Sequence, residues 1–274
     1  MNWRSIWAIA RKDLMEVRQN KAAWIPAIVL PLMFAVFMPI LFSAVPQFIP
    51  AEEAQKQLGD VETMLKNLPP AVQAIFDGLK LEQMFVIYMT AFLLAPLFLI
   101  MPLMFSSVVG ADSFVGERER KTMEALLYSP ATDMELFLGK VLAAVIPAIS
   151  LSWLTYLVYI VVVNVSSYGL FQRIWFPLPT WWPLMFWLTP AFALLGISAT
   201  VMISARVKTF MEAYQLTGSL VVIVLALVIG QISGALFLGV GTVFLIGTLI
   251  WVVDIVLIRI AIRNFKRSSL IAKL

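Results

Sequence analysis

Six apolar runs of about 20 residues or more divide this chain, and charged or polar segments alternate between them. The runs cover roughly residues 22–44, 83–109, 136–164, 181–205, 210–229 and 235–258. Each is long enough for a helix to cross hydrocarbon, whereas barrel strands are shorter and alternate. In lipid every backbone polar group must be satisfied within the chain, so each run predicts a transmembrane helix. Pro26, Pro31 and Pro39 in the first run, and Pro96 and Pro102 in the second, predict kinks. Ahead of the first run, Trp3, Trp7, Ala10, Leu14 and Val17 recur at helical spacing. Arg4, Arg11, Lys12, Asp13, Glu16 and Arg18 fill the other faces. Residues 1–21 therefore predict an amphipathic helix in the membrane interface with Trp3 and Trp7 at headgroup level, and not a signal peptide. The polar stretch 45–82 predicts an external segment with two short helical pieces around Leu68-Pro69-Pro70.

Charge sets the orientation. Of the 20 Lys and Arg, all but Lys56, Lys66, Lys80 and Arg173 fall on one side of the implied membrane. Positive charge marks the cytoplasmic side, so both termini are expected there. The fold class is thus an all-α membrane protein: an interfacial helix (1–21) and a six-helix transmembrane domain (22–274). Composition agrees, since 61% of residues are hydrophobic and 13% charged, more apolar surface than a soluble domain hides. The chain has no Cys and no His. A thiolate nucleophile, the commonest metal ligand and the commonest general base are all absent, which removes most hydrolase and metalloenzyme readings. The net charge of +4 needs no nucleic-acid partner, because cytoplasmic loops require it and no basic stripe with interleaved aromatics appears.

The segment 110–135 between the second and third spans carries the most information. Glu117 and Lys121 are four apart, as are Arg120 and Glu124, spacings that support a short surface helix. Met123, Leu126 and Leu127 give it an apolar edge, and Ser129-Pro130 ends it. Thr132-Asp133-Met134-Glu135 is a capping-box pattern that starts the next helix. Such a rod with one apolar edge suits docking to another protein; a solvated charged loop that merely obeys the topology rule also fits.

The residues Gly116 to Pro130, followed by E-L-F-L-G-K ending at Gly139-Lys140, resemble the signature of ABC transporter permeases of the type-2 exporter class. Glu117, Glu119, Thr122, Glu124, Leu126, Leu127, Ser129, Pro130, Gly139 and Lys140 match that pattern. Lys121 departs from it, standing where many relatives have Gly, with a small effect expected on the start of the helix. Arg11-Lys12-Asp13 and the six-span frame are also similar to the family. The resemblance implies a membrane subunit that pairs with a second permease subunit, identical or not, and sits on separate ABC ATPase subunits. It implies that residues Glu117, Arg118, Glu119, Arg120, Lys121, Thr122, Glu124, Leu126, Leu127, Ser129 and Pro130 form a coupling helix on the ATPase, with the N-terminal helix as a second contact. ATP and Mg would be bound by that partner. Gly139-Lys140 is no phosphate loop, because Met134 stands where the first Gly is needed and Val141 follows the Lys; no cofactor is expected on this chain. Outward transport across the plasma membrane of a prokaryotic cell follows from the same resemblance.

Other polar positions lie within lipid. Tyr88 and Thr90 in the second span, and Tyr214, Gln215, Thr217 and Ser219 in the fifth, can line a substrate path or hydrogen-bond between helices. Asp254 reads as lying near the cytoplasmic end of the sixth span, one turn from Arg259, where snorkelling or local pairing would settle it. Glu212 is placed to pair with Lys208. An ion-driven secondary transporter or channel is the alternative reading, with Asp254 as its motivating feature. The apolar spans lean toward a hydrophobic or amphiphilic cargo.

Overall fold

A computed structural model describes residues 2–19, 28–48, 70–122 and 130–264. They form helices and turns, with no strand among the described residues. We label the helices α1 (Trp3–Gln19), α2 (Ile28–Pro46), α3 (Pro70–Phe76), α4 (Leu81–Glu119), α5 (Asp133–Phe171), α6 (Trp181–Ser204), α7 (Phe210–Ile232) and α8 (Val240–Asn264). All but α1 and α3 are long and apolar enough to cross a membrane, so the six expected spans are present. The start of the first span, most of the external segment and the tail fall outside the described residues.

Two spans run well past their expected ends. α4 continues to Glu119 and α5 occupies all of Asp133–Phe171. Their polar ends stay helical because they are packed on other helices, an outcome that hydropathy cannot register. The start of α5 is as expected: Thr132 Oγ1 accepts from the Glu135 amide at 3.3 Å, and Glu135 Oε2 accepts from the Thr132 amide at 2.9 Å. Glu135 Oε1 also accepts from the Asn2 amide at 2.5 Å, which ties down the start of α1.

The centre of the bundle is α4 and α6, while α2, α7 and α8 are largely uncovered. No hydrophobic drive separates helices from lipid tails, so close packing must come from small residues. A Cβ at Gly196 would sit 2.6 Å from the Leu103 carbonyl oxygen, and one at Gly110 would sit 2.5 Å from Ile197 Cδ1. Both glycines therefore let α4 and α6 approach closely.

The half of the bundle away from the charged end, where α4 stops and α5 starts, is aromatic. Trp181 stacks on Tyr159 and Tyr156 and meets Phe98 and Phe176 edge-on. Within α4, residues Tyr88–Leu93 form a π-helical turn, and Pro96 lies just beyond it. Pro96 cannot donate to the Phe92 carbonyl. Side chains from three other spans take up this backbone: Tyr159 donates to the Thr90 carbonyl at 2.6 Å, Trp181 to Ala91 at 2.9 Å and Gln231 to Phe92 at 3.1 Å.

Candidate coupling site

At the basic end of the bundle, α1 lies across the last turn of α4 and the first turns of α5. The face it buries is Ile6, Ile9, Ala10, Asp13 and Val17. Trp3 and Trp7, expected at headgroup level, are 67% and 56% exposed, while Ala10 and Val17 of the same stripe are buried. The protein takes the Ile6 side of α1, because Gly139 opens a hollow there. A Cβ on Gly139 would fall 2.8 Å from Ile9 Cβ and 3.0 Å from the Ile6 carbonyl oxygen.

That close crossing delivers Asp13 to Lys140. Lys140, 2% exposed, spends its three N–H groups on Glu117 Oε2 at 2.5 Å, the Ser113 carbonyl at 2.8 Å and Asp13 Oδ2 at 3.3 Å. Its ammonium also lies over the Phe114 ring. Glu117 is fully buried and receives a second ammonium, that of Lys12, on Oε1. Lys12 further reaches Glu16 at 2.9 Å and Asp13 Oδ1 at 3.3 Å. Burial works against the Lys12 charge, but hydrogen bonds to Glu117 and Glu16 and the charges of Glu117 and Asp13 outweigh it, so its pKa stands above the ordinary lysine value. Asp13, Glu16 and Glu117 bring one oxygen each within 4.8 Å of one another. Such a cluster can hold a cation, and here the two lysine ammoniums supply that charge. The buried pairs are held together because either partner alone would be an uncompensated charge.

The segment expected to be a coupling helix starts differently from its sequence reading. Glu117–Glu119 is the end of α4, not the start of a surface helix. The expected Glu117–Lys121 pair does not form: Glu117 serves Lys12 and Lys140. Arg120 pairs with Asp112 at 2.9 Å, and its other expected partner, Glu124, lies outside the described residues. Arg118 donates to the carbonyls of Ser204 and Val207 at 2.9 and 2.5 Å, and Glu119 accepts from the Phe210 amide at 2.8 Å. Thus Arg118 and Glu119 also grip the turn between α6 and α7. Lys121 has φ +59°. Its amide bonds the Arg118 carbonyl at 3.1 Å, and the Thr122 amide bonds the Glu117 carbonyl at 2.9 Å, the Schellman pattern of a helix end. The position where relatives carry Gly is therefore a stop signal for α4 rather than an adjustment of a helix start. Glu124, Leu126, Leu127 and Ser129 lie outside the described residues; Pro130 is exposed.

The in-membrane candidates separate into two groups. Tyr88, Thr90 and Thr217 are buried within the subunit. Thr90 donates to the Val86 carbonyl at 2.5 Å, and Thr217 to Ala213 at 2.8 Å. Tyr214 is half-buried, stacked on Phe210. Gln215 and Ser219 are exposed on α7. Glu212 accepts from the backbone amide of Lys208 at 3.0 Å and forms no ion pair with its ammonium.

Six apolar helices with a charged, glycine-fitted node at one end define a multi-pass helical membrane protein. Over residues 7–263 the chain matches the family described as "ABC-2 family transporter protein". It belongs to that family, whose members are membrane subunits of ABC transporters and not themselves the ATPase. Among curated proteins no sequence matches it.

Proposed function

We propose that this chain is the permease subunit of an ABC exporter, moving substrate outward with energy from ATP hydrolysed by a separate nucleotide-binding subunit. The observation that carries this is the buried Lys140–Glu117 pair with Asp13 and Lys12. It makes α1, the end of α4 and the start of α5 one body beside Thr122 and Pro130, the residues that flank positions 123–129 in sequence. A force applied by the ATPase to that segment or to α1 is passed directly to two transmembrane helices. Both termini and this node are then cytoplasmic. The ATPase binds ATP and Mg; this chain supplies the docking segment Glu117–Pro130. A second permease subunit completes the transporter in the plasma membrane of a prokaryotic cell. The exposed Gln215 and Ser219 of α7 are the polar groups available to a path between subunits, and the apolar spans suit a hydrophobic or amphiphilic cargo.

Copurification with an ABC ATPase and ATP-dependent export from reconstituted vesicles test the reading. Glu124→Lys together with Leu127→Asp is expected to abolish both while leaving the permease folded in detergent. If association and export survive those changes, or export proceeds fully under an ion gradient without the ATPase, the reading is lost.

A further inference from the structure

Asp254 is placed otherwise than its sequence position suggests. In the span Val240–Ile262 it lies past the middle, about 12 Å from the Ile262 end at 1.5 Å per residue. It is completely buried, while Val252, Val253, Ile255 and Val256 around it are exposed. It therefore does not snorkel. Arg259 is exposed and makes no pair with it, and neither Asp254 oxygen has a hydrogen-bond partner among the described residues.

The described surroundings supply no counter-charge. α8 packs its buried face on α6, and Trp181–Ser204 contains no Asp, Glu, Lys, Arg, His or Tyr. Toward the basic end, Ile258 and Ala261 share an apolar cluster with Val17 of α1 and with Tyr214 of α7, whose phenol is titratable. On α6 itself Ser198 is 2% exposed with its hydroxyl unpartnered. A carboxylate without donors or cations is not sustained in hydrocarbon; it takes up a proton. A sodium ion would need several oxygen ligands, and the surrounding apolar helix faces supply few.

We propose that Asp254 is a proton-binding site inside the membrane, and that release of its proton unseats α8 from α6. With the O–H bond intact, the neutral acid lies in the α6–α8 seam. When that bond breaks, the proton passes to water and the remaining carboxylate draws water into the seam, so α8 separates from α6. The node at the basic end is not required for this, and neither is the ATPase, so the site stands or falls independently of the transport reading.

Infrared spectroscopy of the permease in lipid bilayers reads the site directly. A carbonyl band of a protonated acid is expected at neutral pH, absent in Asp254→Asn and lost in the wild type at alkaline pH. Aspartate labelled with carbon-13 shifts the same band without any substitution, which keeps this arm readable should Asp254→Asn fold poorly; among the described residues the other buried aspartates, Asp13 and Asp112, sit in ion pairs. The chain has no cysteine, so Ser198→Cys provides a single buried thiol on α6, the helix on which α8 packs. Its modification by a small methanethiosulfonate is expected to rise several-fold more with pH beside Asp254 than in the Asp254→Asn background. Absence of the band at neutral pH, its loss on exchanging choline for sodium, or identical thiol profiles in the two backgrounds would each overturn the proposal.

Discussion

Lys140 is the residue on which the basic end turns. It is nearly inaccessible, uses all its donors, and holds two carboxylates from different segments. Removing one partner of such a buried set is far costlier than removing both. Lys140→Met is expected to destabilise the protein by about 3–5 kcal/mol, read as thermal unfolding in detergent. Glu117→Met combined with Lys140→Met should recover most of that loss while ATP-dependent export stays impaired. That split separates a role in holding the fold from a role in transmitting force. Lys121 gives the opposite case. A non-glycine residue at φ +59° costs roughly 1–2 kcal/mol, so Lys121→Gly is expected to raise the unfolding temperature. A lowered one would contradict the role assigned to the αL position. The sequence marks both residues, Lys140 through the Gly-Lys step and Lys121 as a departure from the family pattern. It does not show that one is buried with partners 23 and 127 positions away, or that the other ends a helix.

At the level of elements, the break in α4 is the feature with mechanical consequence. A π-helical turn followed by Pro96 leaves carbonyls that other helices satisfy, and such turns often mark functional places in helices. Tyr159, Trp181 and Gln231 thereby tie α5, α6 and α7 to one point of α4. Tyr159→Phe removes a single donor and is expected to cost about 0.6 kcal/mol, at most near 1.7, as interhelical bonds in membranes do. Faster amide exchange confined to Tyr88–Leu93 would accompany it; an unchanged exchange pattern there would show that the turn is held by packing alone. Pro96 is legible as a kink in the sequence, but the three donors that answer it are not, since they come from residues 63 or more positions later. The same limit hides which side of α1 packs on protein. Both the Trp3 and the Ile6 sides are apolar enough to bury, and only the hollow over Gly139 decides between them.

Across the whole molecule, the charge asymmetry and the node point the same way. The native chain lacks cysteine, so topology is open to single substitutions. Thr122→Cys and Lys208→Cys should resist a membrane-impermeant maleimide in intact cells and react after lysis. Gln172→Cys and Ser233→Cys should react from outside. Labelling of Thr122→Cys in intact cells would place the node on the wrong face and end the coupling proposal. The weak covering of α2, α7 and α8 is the remaining whole-molecule fact. In lipid it is no liability, because hydrocarbon satisfies an apolar face as well as protein does.

Span number, helical class and the charge bias were settled by the sequence alone. Transfer of apolar runs into hydrocarbon and the need to close every backbone hydrogen bond leave no other arrangement, and both act locally along the chain. Which charges are paired, which are buried alone and which glycine admits a neighbour were decided only in three dimensions. Those outcomes depend on the distance of closest approach between helices distant in sequence. Glu117 and Asp254 show the difference: two carboxylates at the membrane, one met by two lysines and the other by none among the described residues.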